Sequence, residues 1–156
     1  MKTNIITLGK LKEPYLRAAQ AEYLKRLSKY TKIEIIELAE ESFGDKLTLG
    51  QEEAIKNKEG DKIIKRLSAV KSDKIFALDL NGDKYTSEGF AKLIEAWPRC
   101  SFIIGGSLGL SQKVLATAHE RICFSDLTFT HQLIRVFLLE QIYRGHKIIR
   151  NETYHR

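Results

Sequence analysis

The stretch Phe102-Ile103-Ile104-Gly105-Gly106-Ser107-Leu108-Gly109-Leu110 constrains this chain more than any other. A run of large apolar residues is followed at once by glycines. A strand apolar at every position is buried on both faces, the habit of a parallel sheet layered between helices. Glycine lacks a Cβ, so the main chain can turn sharply and come within contact distance of a ligand. Apolar strands that end this way deliver backbone groups to ligands at the carboxyl edge of an α/β sheet. A tight turn with a purely structural purpose leaves the same mark.

The rest of the chain fits that architecture. Residues 4–8, 32–38, 74–79, 101–104 and 121–124 read as strands, the third closed by a turn at Asn81-Gly82. Between them lie helical patterns. Tyr15, Ala19, Tyr23, Leu27 and Tyr30 recur at helical spacing after Pro14. Residues 51–69 form a charged helix with few apolar anchors, broken near Gly60, after a glycine-marked loop over 39–50. Ser87 caps a helix that runs to Trp97 and stops at Pro98; Ser111 caps a short one ending near His119. Strands alternating with helices predict an α/β fold, a mostly parallel sheet with helices on both faces. At 156 residues the chain is expected to form one domain over 1–156.

No apolar run approaches the roughly 18 to 20 residues that span a bilayer. The N-terminal apolar segment is too short for a signal peptide. A cytoplasmic protein without a membrane partner is expected. Cys100 and Cys123 show no CxxC spacing and read as buried reduced thiols. The histidines at 119, 131, 146 and 155 have no metal-binding spacing, so no metal is expected.

The last helix, residues 132–144, is unusual. Leu133, Ile134, Val136, Phe137, Leu138, Leu139, Ile142 and Tyr143 project all around it. A helix apolar on every side must be covered on every side. A homodimer does this most simply, and Leu139 is then a natural interface position; a central helix within one chain is the alternative. Arg135 inside that helix needs an acid, with Glu140 of a partner copy as a candidate. Beyond it, Arg144, His146, Lys147, Arg150, His155 and Arg156 stand among Tyr143 and Tyr154, against one acid, Glu152. Cations among aromatics suit phosphate contact with base stacking. A frayed, solvated terminus is the plain alternative.

The glycine loop is neither a P-loop nor GxGxxG, and no lysine stands where phosphate would need one. It suits a ligand with little negative charge. Taken in order and spacing, Phe102 to Leu110, Phe124-Ser125-Asp126-Leu127-Thr128-Phe129, His131-Gln132, Arg135-Val136, Glu140-Gln141-Ile142-Tyr143-Arg144 and the terminal Tyr154-His155-Arg156 resemble the ribosomal RNA large subunit methyltransferase H family of the SPOUT superfamily. The opening Gly9-Lys10-Leu11-Lys12 fits as well. The resemblance covers essentially the whole chain.

It implies a C-terminal trefoil knot, against the usual rule for chain paths. It also implies S-adenosylmethionine as cofactor and a homodimer. The implied reaction is methylation of N3 of a pseudouridine in 23S rRNA, in the stem-loop bridging the subunits of an assembled ribosome. Carried over, the cofactor contacts fall on Leu78, Gly105, Phe124, Ser125, Asp126, Leu127, Thr128 and Phe129. The catalytic candidates are His155, Arg144, Tyr154 and Arg156: a base or water-orienting group, two cations and a stacking face. His131 suits either a structural or a functional role. Thr130 replaces the family's usual proline, which predicts a looser loop. A non-catalytic RNA-binding protein using the basic tail and an enzyme of another adenine nucleotide remain as rival functions.

Overall fold

A computed structural model describes residues 1–156. The elements alternate throughout: β1 (Lys2–Leu8), α1 (Pro14–Leu27), β2 (Lys32–Leu38), α2 (Leu49–Ala69), β3 (Lys74–Lys84), α3 (Ser87–Ala96), β4 (Arg99–Ile104), α4 (Gln112–Thr117), β5 (Glu120–Cys123) and α5 (His131–Ile149). The five strands form one all-parallel sheet in the order β2-β1-β4-β3-β5.

Successive strand residues point to opposite faces, and both faces are apolar. Ile5, Phe76, Phe102, Ile104 and Ile122 pack with Leu27 of α1, Phe90 and Ile94 of α3, and Leu138, Leu139 and Ile142 of α5. Ile6, Leu8, Ile36 and Ile103 face Ile63 and Leu67 of α2 and Val114 of α4. Burial of each such side chain contributes roughly 1.5–3 kcal/mol, which explains a central β4 without a polar position between Phe102 and Ile104. Cys100 and Cys123 are buried and unpaired, and burial pushes the Cys100 thiol up to about 11. No helix is long and apolar enough to cross a membrane.

Several boundaries differ from the sequence reading, each for a packing reason. Helix α2 is unbroken at Gly60; a Cβ there would press on Ser111 and lie 3.1 Å from Val114, so this glycine lets α2 meet α4 closely. The helix also starts earlier, at Leu49, behind a reciprocal cap between Thr48 and Gln51. Strand β3 does not stop at Asn81-Gly82. It bulges, so that Leu78 and Asp83 both face Ile122, and continues to Lys84. Gly82 crosses the β5 backbone there: a Cβ would lie 2.6 Å from the Arg121 carbonyl carbon. Thr86, not Ser87, caps α3, accepting the Gly89 amide at 3.0 Å, while the Ser87 hydroxyl donates to Gln141 Oε1 at 3.0 Å.

Helix α5 extends beyond Arg144 to Ile149 and carries Lys147 within it. It is the middle helix of its layer, flanked by α1 and α3 with the sheet beneath. None of its residues is fully exposed. Its all-round apolarity is therefore met within one chain, and Leu139 is a core residue with no accessible surface, not an interface position. Arg135 is also fully buried, but its partners are intramolecular. It reaches Glu37 at 2.8 Å, Thr7 at 3.2 Å and the Gly9 carbonyl at 2.9 Å, pinning α5 to the ends of β1 and β2. Glu140 pairs with Arg144 instead.

Candidate functional site

Three strands bring the expected cofactor residues to one sheet edge. Ala77 of β3 lies opposite Ile103 of β4, and Leu78 opposite Ile122 of β5. Gly105 and Phe124 thus follow directly where β4 and β5 run out beside Leu78. Leu78 is half-buried against the core beneath α3 and α5.

The glycine loop closes on itself. The Gly109 amide donates to the Gly106 carbonyl at 3.1 Å, and Gly109 takes a left-handed φ of 85°. A Cβ on Gly105 would lie 2.9 Å from the Gly109 carbonyl carbon and 3.1 Å from Leu110. The loop's own backbone thus already calls for glycine at 105, in line with the structural turn that the sequence left open beside a ligand contact. Behind Gly106 sits the buried Glu59, which accepts the Glu41 amide at 3.1 Å; burial pushes its carboxyl up.

The run 124–129 is held by local bonds. The Ser125 hydroxyl accepts the Leu127 amide at 3.0 Å, and the Ser125 carbonyl accepts the Cys123 thiol at 3.1 Å. Asp126 pairs with Lys84. Thr128 is exposed, as is Leu127 at the tip. Phe124 meets Phe90 edge-on, and Phe129 meets Phe137 in the same way. Thr130 then caps α5 by accepting the Leu133 amide at 3.2 Å. It ties down the end of the loop that a missing proline was expected to loosen. His131 Nε2 lies 3.0 Å from Glu40 Oε1 without a well-aligned hydrogen bond, and the Gln132 side chain accepts the Lys12 amide at 3.0 Å.

Between this run, the start of α3 and α5 lies a cavity of about 470 Å³. Its walls include Phe90, Phe124 and Phe129, with Glu140 and Arg144 at the polar end. Of the expected cofactor residues Phe124, Ser125 and Phe129 line it, and Leu78, Gly105, Asp126, Leu127 and Thr128 do not. Tyr85, also on its wall, bonds Glu120, which pushes the phenol up to about 12.

The chain terminus folds back onto that polar end. Asn151 takes a left-handed φ of 53° after α5, the Asn151 amide donates to Ile148, and the Glu152 amide to Lys147. This reversal is the Schellman ending. Glu152 is tied to Tyr30 at 2.7 Å and Lys147 at 2.6 Å. Tyr154 then donates to Glu140 Oε1 at 3.0 Å, and its ring lies 4.7 Å from the Arg144 guanidinium. Arg144 reaches Glu140 at 2.6 Å and His155 Nδ1 at 3.2 Å. Burial and then the Glu140 carboxylate push the Tyr154 phenol well above its usual range, while the same carboxylate raises Arg144. Arg150 and Arg156 are exposed without ion pairs, Arg150 lying over the Tyr30 ring at 4.9 Å. The tail is therefore packed, not frayed.

Sequence reasoning found Arg144, Tyr154 and His155 but missed Glu140 as their hub. Its spacing of four from Arg144 was the available signal. It also missed Tyr85, Thr86, Ser87 and Phe90, which reach the cavity only because α3 packs on α5. The assembled site offers an aromatic slot, a carboxylate and a fixed cation, without a lysine for phosphate.

Over residues 1–155 the chain matches the family described as predicted SPOUT methyltransferase. A Clostridium beijerinckii protein named ribosomal RNA large subunit methyltransferase H is 50% identical over the full length of both chains. Proteins of the same name from Ruminiclostridium cellulolyticum and Clostridium tetani are 47% and 48% identical, again over both full lengths. With its parallel sheet, glycine-ended β4 and full-length match, the chain belongs to the SPOUT methyltransferase family.

Proposed function

We propose that this protein uses S-adenosylmethionine to methylate N3 of a pseudouridine in 23S rRNA, in the stem-loop that bridges the ribosomal subunits. It acts in the cytoplasm as a homodimer on the assembled ribosome, with its C-terminal part threaded as a trefoil knot. The relatives' shared name supports the large-subunit rRNA substrate. The observation that carries the site is the cavity joining residues of the 124–129 run to Arg144, with the packed tail at its polar end.

The residues present fit the cofactor. Phe90, Phe124 and Phe129 make a slot suited to adenine, and Glu140 suits a cationic group. Phe124, Ser125 and Phe129 on the cavity wall would hold it, with Leu78, Gly105, Asp126, Leu127 and Thr128, at the adjoining strand ends and loop tip, as the further contacts that the family resemblance implies. Bound there, it supplies an electrophilic methyl carbon. The protein must place N3 and favour loss of its weakly acidic proton to solvent water. Arg144, aimed by Glu140, stabilises negative charge on the ring oxygens. Tyr154 offers a stacking face and Arg156 a free cation for phosphate. His155 orients Arg144, because both of its ring nitrogens already have partners.

Titration calorimetry with S-adenosylmethionine, its demethylated product and ATP tests the cofactor. The first two should bind and ATP should not. Ribosomes lacking the modification should then gain one methyl group in the bridging stem-loop, read by mass spectrometry of the 23S fragment. ATP binding alone would indicate an enzyme of another adenine nucleotide, and RNA binding without either cofactor form an RNA-binding module.

A further inference from the structure

The first turn of α3 reaches the chain terminus. Glu88 Oε1 lies 2.8 Å from His155 Nε2, while Arg144 Nη1 lies 3.2 Å from His155 Nδ1. A guanidinium can only donate. Nδ1 must therefore present its lone pair, which leaves the ring hydrogen on Nε2, donated to the Glu88 carboxylate. Glu140 grips Arg144 from its other side at 2.6 Å. The same stretch of chain supplies Thr86, Ser87 and Phe90 to the cavity wall, so the cavity and the tail share one support.

We propose that Glu88 is a positioning residue for methyl transfer: by holding His155 as the Nε2–H tautomer, it makes Nδ1 the acceptor that fixes the Arg144 guanidinium at the cavity wall. The inference rests on the reading of Arg144 and the tail as the place that receives the target base. Without Glu88 the imidazole is free to take the other tautomer. Its Nδ1–H would then point at a group that only donates, the Arg144 contact would be lost, and Glu140 alone would hold the cation. The Glu88 side chain is 58% exposed, and exposed pairs add little to stability. The effect of Glu88 therefore belongs on the rate.

The test uses the full-length protein, ribosomes lacking the modification, and the variants Glu88→Ala and Glu88→Gln. Glu88→Ala should lower kcat by on the order of tenfold or more, the scale of a misplaced group near the chemistry. Its affinity for S-adenosylmethionine should stay at the wild-type value, and its thermal midpoint should fall only by the small amount expected for losing the acid in the first turn of α3. Glu88→Gln keeps an oxygen that accepts from Nε2–H, so it should recover most of the rate. In a His155→Ala background, Glu88→Ala should cost nothing further. Nitrogen-15 spectra of the imidazole should show a bare Nδ1 and a protonated Nε2 in the wild type. A Glu88→Ala variant with wild-type kcat, or a wild-type spectrum with the proton on Nδ1, overturns the inference alone. A wild-type protein that transfers no methyl group overturns the functional reading, and the inference with it.

Discussion

At Thr130 a hydroxyl stands where the resemblance leads one to expect a proline ring, and it supplies what the ring would not. Its oxygen accepts the Leu133 amide, one of the donors left open at a helix start. Thr130→Ala should lower stability by about 1 kcal/mol, read from the urea midpoint at unchanged slope; an unmoved midpoint would show the cap to be idle. Gly105 calls for the opposite kind of test. Because a Cβ there meets the Gly109 backbone, Gly105→Val should open the glycine loop and cut S-adenosylmethionine affinity, with the circular dichroism of the core intact. Calorimetry giving wild-type affinity would remove Gly105 from the site. Gly105 was visible in the sequence as a glycine ending an apolar run, and Thr130 as a departure from the proline of the resembled family. Glu88 was not, and of Glu140 only the spacing from Arg144 was, because His155 and Tyr154 reach them on a tail whose return depends on the left-handed turn at Asn151. Asparagine tolerates that conformation, but nothing nearby marks it as used.

Helix α5 shows where a pattern underdetermines its cause. All-round apolarity was legible, and it requires cover on every side, but a neighbouring helix and a second chain serve equally well in a sequence. The structure supplies α1 and α3 as the flanks. Strand and helix order was likewise readable from periodicity, while the ends at Gly60 and Gly82 were misplaced, since each glycine answers to a distant backbone or side chain. One consequence of burying α5 is measurable. His146 is buried and stacked on Tyr30, and burial pushes it from 6.5 down to about 4. The fold therefore holds the neutral ring. Between those two values the unfolded chain binds a proton that the native protein does not, so stability rises with pH across that window. It is complete above about 6.5 and is lost as pH falls toward 4. Thermal midpoints should drop from about pH 7 to about pH 5, and His146→Phe should flatten the drop in this span, above the range where paired carboxylates titrate. An equal drop in both proteins would assign the effect elsewhere.

At the scale of the whole molecule, the chain's last residues close the site that its middle strands open. The homodimer should appear as about twice the chain mass by light scattering at micromolar concentration, and a monomer at every concentration would refute it. A charge at Leu139 cannot probe it, since that side chain lies in the core and the variant would report on folding. Deleting Tyr154, His155 and Arg156 probes the tail. These residues touch the outer turns of α3 and α5 and contribute nothing to the two large apolar clusters. Folding, dimer mass and most S-adenosylmethionine affinity should therefore survive. Methyl transfer should not, because the deletion removes the stacking face and also releases Arg144 from His155 and Tyr154. The rate on ribosomes should fall by roughly 10²–10⁴-fold if these groups act in the transition state as acid–base and electrostatic groups do. His155→Ala keeps Tyr154 and Arg156, so it should lose less than the deletion if the ring only orients Arg144. An equal loss would make His155 the essential member and restore it as the proton acceptor. A truncated protein that methylates ribosomes at the normal rate would reduce the tail to packing, and the cation at Arg144 would then need only Glu140 to hold it in place.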